Sequence, residues 1–184
     1  NDWIAISYIE TGNISDNTIC CSDESDGIQM DHCSDLTIND NTITENTYGI
    51  NIIISTNNNI YNNFISSNTI GIYLYQSSNN IIYNNDINGN NYGIYTQSFS
   101  SDNKIYLNDF TDNNDNAQDS NTNNWDYNNQ GNYWDDYTGT DNDKDGIGDT
   151  PYDIPGGSNQ DNYPLGYFQT TNKRPVATIA SIAP

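Results

Sequence analysis

The dipeptide Gly-Ile recurs at Gly27-Ile28, Gly49-Ile50, Gly71-Ile72 and Gly93-Ile94, at a constant interval of 22 residues. A fixed period in this range marks a stack of repeats, in which each unit is one layer that contacts only its neighbours. Aligned on this pair, the chain divides into five coils beginning near Asp2, Asp26, Tyr48, Ile70 and Tyr92, with spacings of 24, 22, 22 and 22. The first coil carries a two-residue insertion around Ser22 to Ser25, and the fifth a one-residue insertion around Lys104.

With those allowances three apolar columns run through every coil. They are Ile4, Ile28, Ile50, Ile72, Ile94; Ile14, Ile38, Ile60, Ile82, Ile105; and Ile19, Ile43, Ile65, Ile87, Phe110. Ile6, Met30, Ile52, Leu74 and Thr96 follow the first column at a distance of two, which is the strand period. Three inward columns imply three short strands per coil and three parallel sheets around one core. Stacked β-branched residues fill such a narrow interior well. A leucine-rich repeat shares the period but needs regularly spaced Leu, and only Leu36, Leu74 and Leu107 fall in the coils. A polar column, Asn17, Asn41, Asn63, Asn85 and Asn108, precedes the third apolar column by two residues. It reads as an internal amide ladder at a strand corner, with Asn tolerating a left-handed backbone there.

Charge narrows the partners. The chain has 25 acidic residues against 4 basic ones and a net charge of -21. Nucleic acid and anionic membranes need clustered Lys and Arg, so neither is expected. Acidic excess favours multivalent cations instead. A hydrophobic content of 33% with abundant Asn would suit a disordered segment, but the phasing of the apolar residues argues against it. No apolar run is long enough for a membrane span. Cys20, Cys21 and Cys33 are an odd number; small buried thiols and one bridge to Cys33 are the two readings. With no initiator Met or signal peptide, the chain reads as a mature product or a fragment.

The units Asn41-Thr-Ile and Asn63-Phe-Ile, joined to Tyr48-Gly-Ile and Ile70-Gly-Ile, resemble right-handed parallel β-helix repeats of the NosD-like and carbohydrate-binding/sugar-hydrolase families. The resemblance covers about residues 2–113 and implies the fold more specifically than any activity. From Thr111 to Gln130 the repeat gives way to an Asp/Asn-rich stretch, read as an irregular descent from the last coil. The stretch from Gly131-Asn-Tyr-Trp through Asn162-Tyr-Pro-Leu resembles the tail that follows such repeats in many archaeal surface proteins. Its aromatics Tyr133, Trp134 and Tyr137, with Trp125 just before it, are expected to close the core. Lys173-Arg-Pro-Val onward resembles the linker and first strand of a PKD-type domain. The expected organisation is therefore coils over 1–113, a cap over 114–169, and a linker or strand over 170–184 that leads to a following domain or a neighbouring subunit.

The sharpest local motif is Asp141-Asn-Asp-Lys-Asp-Gly-Ile-Gly-Asp149. Carboxylates on alternate residues of a tight Gly-containing turn can converge on a hard cation that needs six to eight oxygens. The expected Ca²⁺ ligands are Asp141, Asp143, Asp145, the Ile147 backbone oxygen and Asp149, with Asp153 a candidate extra ligand. Tyr152 stands where an EF-hand has its bidentate Glu, and no helical flank is evident. The loop resembles the Asp-x-Asp-x-Asp-Gly calcium loops of extracellular repeats.

Other chemistry is thinner. His32 lies in Met30-Asp-His-Cys33, and the NosD resemblance implies that a copper site be considered there. Alternation would send Met30 and His32 to the same side, with Met30 in the core. A polysaccharide lyase needs a basic residue beside its Ca²⁺, and the coils hold only Lys104. A glycosidase needs a carboxylate pair, and none stands out among Asp31, Asp35, Asp86 and Asp109. Tyr61, Tyr83 and Tyr106 form an outward column, read as cross-coil packing with carbohydrate or a protein partner as the alternative. Asn13-Ile-Ser15 is a glycosylation sequon.

The expectation is a non-enzymatic, calcium-stabilised structural or adhesive module of an extracellular or cell-surface protein. A carbohydrate-binding or carbohydrate-processing module and a copper-binding maturation protein are the alternatives. The first coil starts at Trp3-Ile4 with no evident cap, so head-to-tail self-association is a further expectation, beside contact with other domains of a larger surface protein.

Overall fold

The computed structural model describes residues 3–22 and 25–166. It is a right-handed parallel β-helix. The first turn comprises β1 (Ile4–Ser7), β2 (Gly12–Ser15) and β3 (Thr18–Ser22), and the second β4 (Ile28–Asp31), β5 (Leu36–Asn39) and β6 (Thr42–Asn46). The third holds β7 (Tyr48–Ile53), β8 (Asn59–Tyr61) and β9 (Phe64–Ser66), and the fourth β10 (Ile70–Tyr75), β11 (Ile81–Tyr83) and β12 (Asp86–Asn88). In the fifth are β13 (Tyr92–Gln97), β14 (Lys104–Tyr106) and β15 (Asp109–Thr111). Each strand pairs in parallel with its counterparts one turn away, so the three sheets run the length of the solenoid.

The register matches the apolar columns residue for residue: Ile28 pairs with Ile50, Ile38 with Ile60 and Ile43 with Ile65. From the second turn onward the three columns are fully buried. The repeated glycine has a steric reason. A Cβ on Gly49 would lie 2.6 Å from the Gly71 carbonyl oxygen and 2.8 Å from Ile65 Cγ2. The turns stack too closely there for any side chain, which is why Gly is phase-locked to Ile.

A sixth turn follows where the sequence reading expects an irregular descent. β16 (Asp115–Asp119) joins the first sheet beside β13, Asn124 bridges Lys104 in the second, and β17 (Tyr133–Trp134) joins the third beside β15. Its columns end in Ala117, Trp125 and Trp134 in place of Ile. Its register steps are 23, 20 and 24 residues, so both the residue type and the period that betray the earlier turns are lost.

The corners carry amides. Asn41 Oδ1 accepts from both the backbone N and the Nδ2 of Asn17, and the pattern repeats through Asn63, Asn85, Asn108 and Asn132. Two further ladders, Asn46-Asn68-Asn90-Asn113 and Asn58-Asn80-Asn103-Asn123, line the other two corners. The left-handed residue is not the ladder Asn but the one before it: Asp16, Asp40, Asn62, Asn84 and Leu107 precede the first ladder, with φ between 54° and 59°. That turn aims each amide inward, where it also donates to the carbonyl two residues back, as Asn63 does to Tyr61 O at 3.0 Å. A short antiparallel pair, β18 (Tyr152–Asp153) and β19 (Gln160–Asp161), packs over the last turn. The expected linker or strand at 170–184 lies outside the described residues.

Candidate functional site

After β17 the chain enters the acidic loop. Asp141, Asp143 and Asp145 each present a carboxylate oxygen within 4.8 Å of the others. Lys144 (φ 63°) and Gly146 (φ 90°) supply the left-handed bends that close the turn. Asp141 Oδ2 accepts from Gly146 N at 3.0 Å, and Asp145 Oδ1 accepts from Ile147 N at 2.8 Å. Asp141 Oδ1 is buried with no hydrogen-bond partner. Three carboxylates facing one another on an acidic chain repel, so the arrangement suits a divalent cation.

Of the other expected ligands, Asp149 and Asp153 carry hydrogen bonds of their own. Asp149 Oδ2 accepts from Asn142 N, Asn142 Nδ2 and Thr140 Oγ1, and Asp149 stands outside the three-carboxylate group. Asp153 is on β18 and accepts from Gln160 Nε2 at 2.6 Å, also outside the group. Ile147 bridges Leu165, Gly166 N donates to Gly146 O, and Leu165 N donates to Asn132 O. The loop is thereby tied to Asn132, the last rung of the first amide ladder.

The cap contains two buried carboxylates that the sequence reading does not single out. Asp119 ends the inward column of Ile6, Met30, Ile52, Leu74 and Thr96, yet is fully buried. It accepts from Thr96 Oγ1, Asn121 N, Asn123 Nδ2, Asn159 Nδ2 and Trp125 Nε1. Asp161 ends the first amide ladder, accepting from Asn132 N at 2.7 Å and Trp134 Nε1 at 2.9 Å. Each core-closing Trp thus anchors its indole N–H on a buried Asp. The rings form a continuous stack, with Trp134 centred 4.4 Å from Phe110 on one face and 4.2 Å from Tyr152 on the other.

Burial pushes the Asp161 carboxyl up to about 6, against the donors Asn132 N, Trp134 and Tyr163 N, with Asp126 adding repulsion. A raised carboxyl stabilises the fold fully below the unfolded value near 3.9, and that contribution is lost as pH rises through about 6. Melting curves at pH 4.5 and 7.5 should therefore show a pH-dependent loss that Asp161→Asn flattens by about 2 kcal/mol. Equal slopes in both proteins would exclude Asp161 as the source.

The family model described as periplasmic copper-binding protein (NosD) matches residues 4–139, well over half of the chain. The chain belongs to the NosD family. The matched span covers the five regular turns, the sixth turn and the entry to the acidic loop, and stops before Asp141. No curated protein matches the chain significantly. Among the described residues, no helix is long and apolar enough to cross a membrane.

In this NosD-family chain the residues with soft-ligand chemistry diverge. Met30 is fully buried in the core, and Cys33 is a buried free thiol. His32 has φ 54°, which breaks the strand alternation expected to place it beside Met30. Its ring stacks on Tyr8 at 4.8 Å, and its Nδ1 lies 2.7 Å from Asp31 Oδ1 at the surface. Cys33 fits the buried-thiol reading, whereas Cys20 and Cys21 depart from both readings, being bonded to each other.

The expected tyrosine column is real and longer than expected. Tyr61 stacks on Tyr83 at 5.0 Å, Tyr83 on Tyr106 at 5.5 Å, and Tyr106 meets Tyr127 at 5.5 Å. Lys104 Nζ sits 4.2 Å over the Tyr127 ring. A second group, Tyr48, Tyr73, Tyr75, Tyr92 and Tyr95, covers the outer face of the first sheet, with Gln97 bridging the Tyr73 and Tyr95 hydroxyls. Its signal was the Tyr-x-Tyr spacing of Tyr73 and Tyr75, which places both on one strand face.

Proposed function

We propose that the chain is a rigid structural and adhesive module of an extracellular or cell-surface protein, non-enzymatic, with a C-terminal cap locked by Ca²⁺. Membership of a family described as periplasmic fits such a placement. The observation that carries the reading is the division of labour along the chain. Ile, Asn and Tyr in the coils are consumed by stacking, while the converging carboxylates of Asp141, Asp143 and Asp145 lie in the cap around the buried, unpartnered Asp141 Oδ1. These three residues would hold the ion, with the Ile147 carbonyl, Asp149 and water as candidates for its remaining positions.

Several observations weigh against the alternatives. The polar groove of about 510 Å³ at the corner between the third and first sheets is lined by Glu45, Asn46, Ser67, Asn68, Thr69, Gly89 and Asn91, which include one carboxylate and no base. Lys104 is engaged with Tyr127. The rings of Tyr61, Tyr83 and Tyr106 cover one another's faces, which are the surfaces a sugar ring would need. The copper in the family description does not fit His32, Met30 and Cys33, since two are buried and the third points outward.

Calcium titration followed by thermal melting tests the reading. Binding to the folded state alone adds about 2.7 kcal/mol at a hundredfold excess over Kd, which for a chain of this size raises Tm by roughly 5–10 °C. Chelation should reverse the rise, and Asp141→Asn should abolish most of it. A Tm indifferent to both calcium and chelator would remove the ion from the proposal.

A further inference from the structure

We propose that the Cys20–Cys21 disulfide is a thiol–disulfide exchange site on the surface of the folded solenoid, and that it accepts thiols carrying no net negative charge. The two cysteines are adjacent in sequence. A disulfide stabilises by closing a loop of the unfolded chain, in proportion to the logarithm of the loop's length, and here no residue lies inside the loop. The bond therefore does little as a staple.

Its position suits exchange instead. Cys21 is exposed at the corner that ends β3, in a left-handed conformation (φ 69°), while Cys33 is sequestered in the core. On either side of it the backbone stays paired with the second turn, Cys20 with Thr44 and Ser22 with Asn46. Opening the sulfur–sulfur bond consequently needs no opening of the coil. Exposed disulfides are the ones that exchange readily with external thiols.

The chemistry closes with an external thiol as the reductant. Its thiolate attacks Cys21 Sγ, the sulfur–sulfur bond breaks, and Cys20 leaves as a thiolate that takes up a proton. A second external thiolate then attacks the external sulfur of the mixed disulfide. Cys21 is released and protonated, and the external pair departs as its own disulfide. Two electrons and two protons are transferred, and the reverse sequence restores the bond.

Electrostatics selects the partner. Glu45 Oε2 lies 3.7 Å from Cys21 Sγ, and Glu45 also lines the polar groove at this corner. On a chain of net charge -21, this carboxylate repels an approaching anion and favours a neutral or cationic thiol.

The test counts reactive thiols in the folded protein and compares reduction by cysteamine, a cationic thiol, with reduction by glutathione, an anionic one, at equal thiolate concentration. Before reduction one thiol, Cys33, should react, and only after denaturation. Mild reduction should expose two more in the native state, with strand circular dichroism unchanged and Tm moved by less than about 4 °C. Cysteamine should be faster by severalfold, and Glu45→Gln should narrow that ratio. The proposal is overturned if reduction yields no new native thiols, if it unfolds the coil, or if the two reductants act equally fast.

Discussion

Asn85→Ala is expected to destabilise the protein by about 3–5 kcal/mol, a large effect for one amide in a chain so rich in Asn. Asn85 Nδ2 donates to Asn108 Oδ1, Ile60 O and Tyr83 O, and its Oδ1 accepts from the backbone N and Nδ2 of Asn63. The residue is fully buried. Truncation strands donors and acceptors on three consecutive turns, and each buried unsatisfied group costs about 1–3 kcal/mol. Asn88→Ala is the internal comparison, because Asn88 is half-buried and its side chain donates to Thr111 Oγ1 alone. That variant should lose about 1 kcal/mol or less. Denaturant unfolding of the two variants side by side decides the matter: equal losses would mean that the ladder is decoration on an Ile core.

Trp134→Ala should cost a similar amount, about 3–5 kcal/mol, through a different mechanism. Trp134 is 1% exposed and sits between Phe110 and Tyr152, so its removal opens a cavity at the end of the third column. It also withdraws the indole N–H from Asp161, a carboxylate already raised by burial. Trp134→Phe separates the two contributions. It keeps a stacked ring but no donor, and should lose about 1–2 kcal/mol. Thermal melts of both variants provide the check; a Trp134→Ala protein as stable as Trp134→Phe would show that the cap does not depend on filling that space.

The two substitutions bear on different parts of the chain, and the difference tracks how readable each part is. In turns two to five, the first sheet brings the same residue to the same neighbours every 22 residues, so Ile28, Ile50, Ile72 and Ile94 repeat because their environments repeat. The two further amide ladders were equally legible in principle, since Asn46, Asn68 and Asn90, and likewise Asn58 and Asn80, keep the same interval. The abundance of Asn hid them. At the sixth turn the environment changes: one side of each residue meets the fifth turn and the other meets the cap. Ala117, Trp125 and Trp134 answer to that asymmetry, and periodicity cannot reveal it.

The acidic loop divides in the same way. Asp141, Asp143 and Asp145 were legible because alternate residues of a tight turn converge by local geometry alone. Whether Asp149 joins them depends on Asn142 and Thr140, which compete for its Oδ2. His32 illustrates a third case. One left-handed residue at a strand end reverses the face that alternation assigns, and nothing in Met30-Asp-His-Cys33 announces where the strand stops.

By itself, then, the sequence determined the parallel β-helix, its columns and their register, because stacking equal layers makes each residue's neighbours a function of the period. It also determined the acidic turn, whose geometry is local. Only the tertiary structure decided that a sixth turn closes the core, that each capping Trp rests on a buried Asp, and that Cys20 bonds Cys21 while Cys33 stays buried. Those outcomes depend on side chains from distant parts of the chain competing for one space or one partner, and no interval in the sequence records that competition.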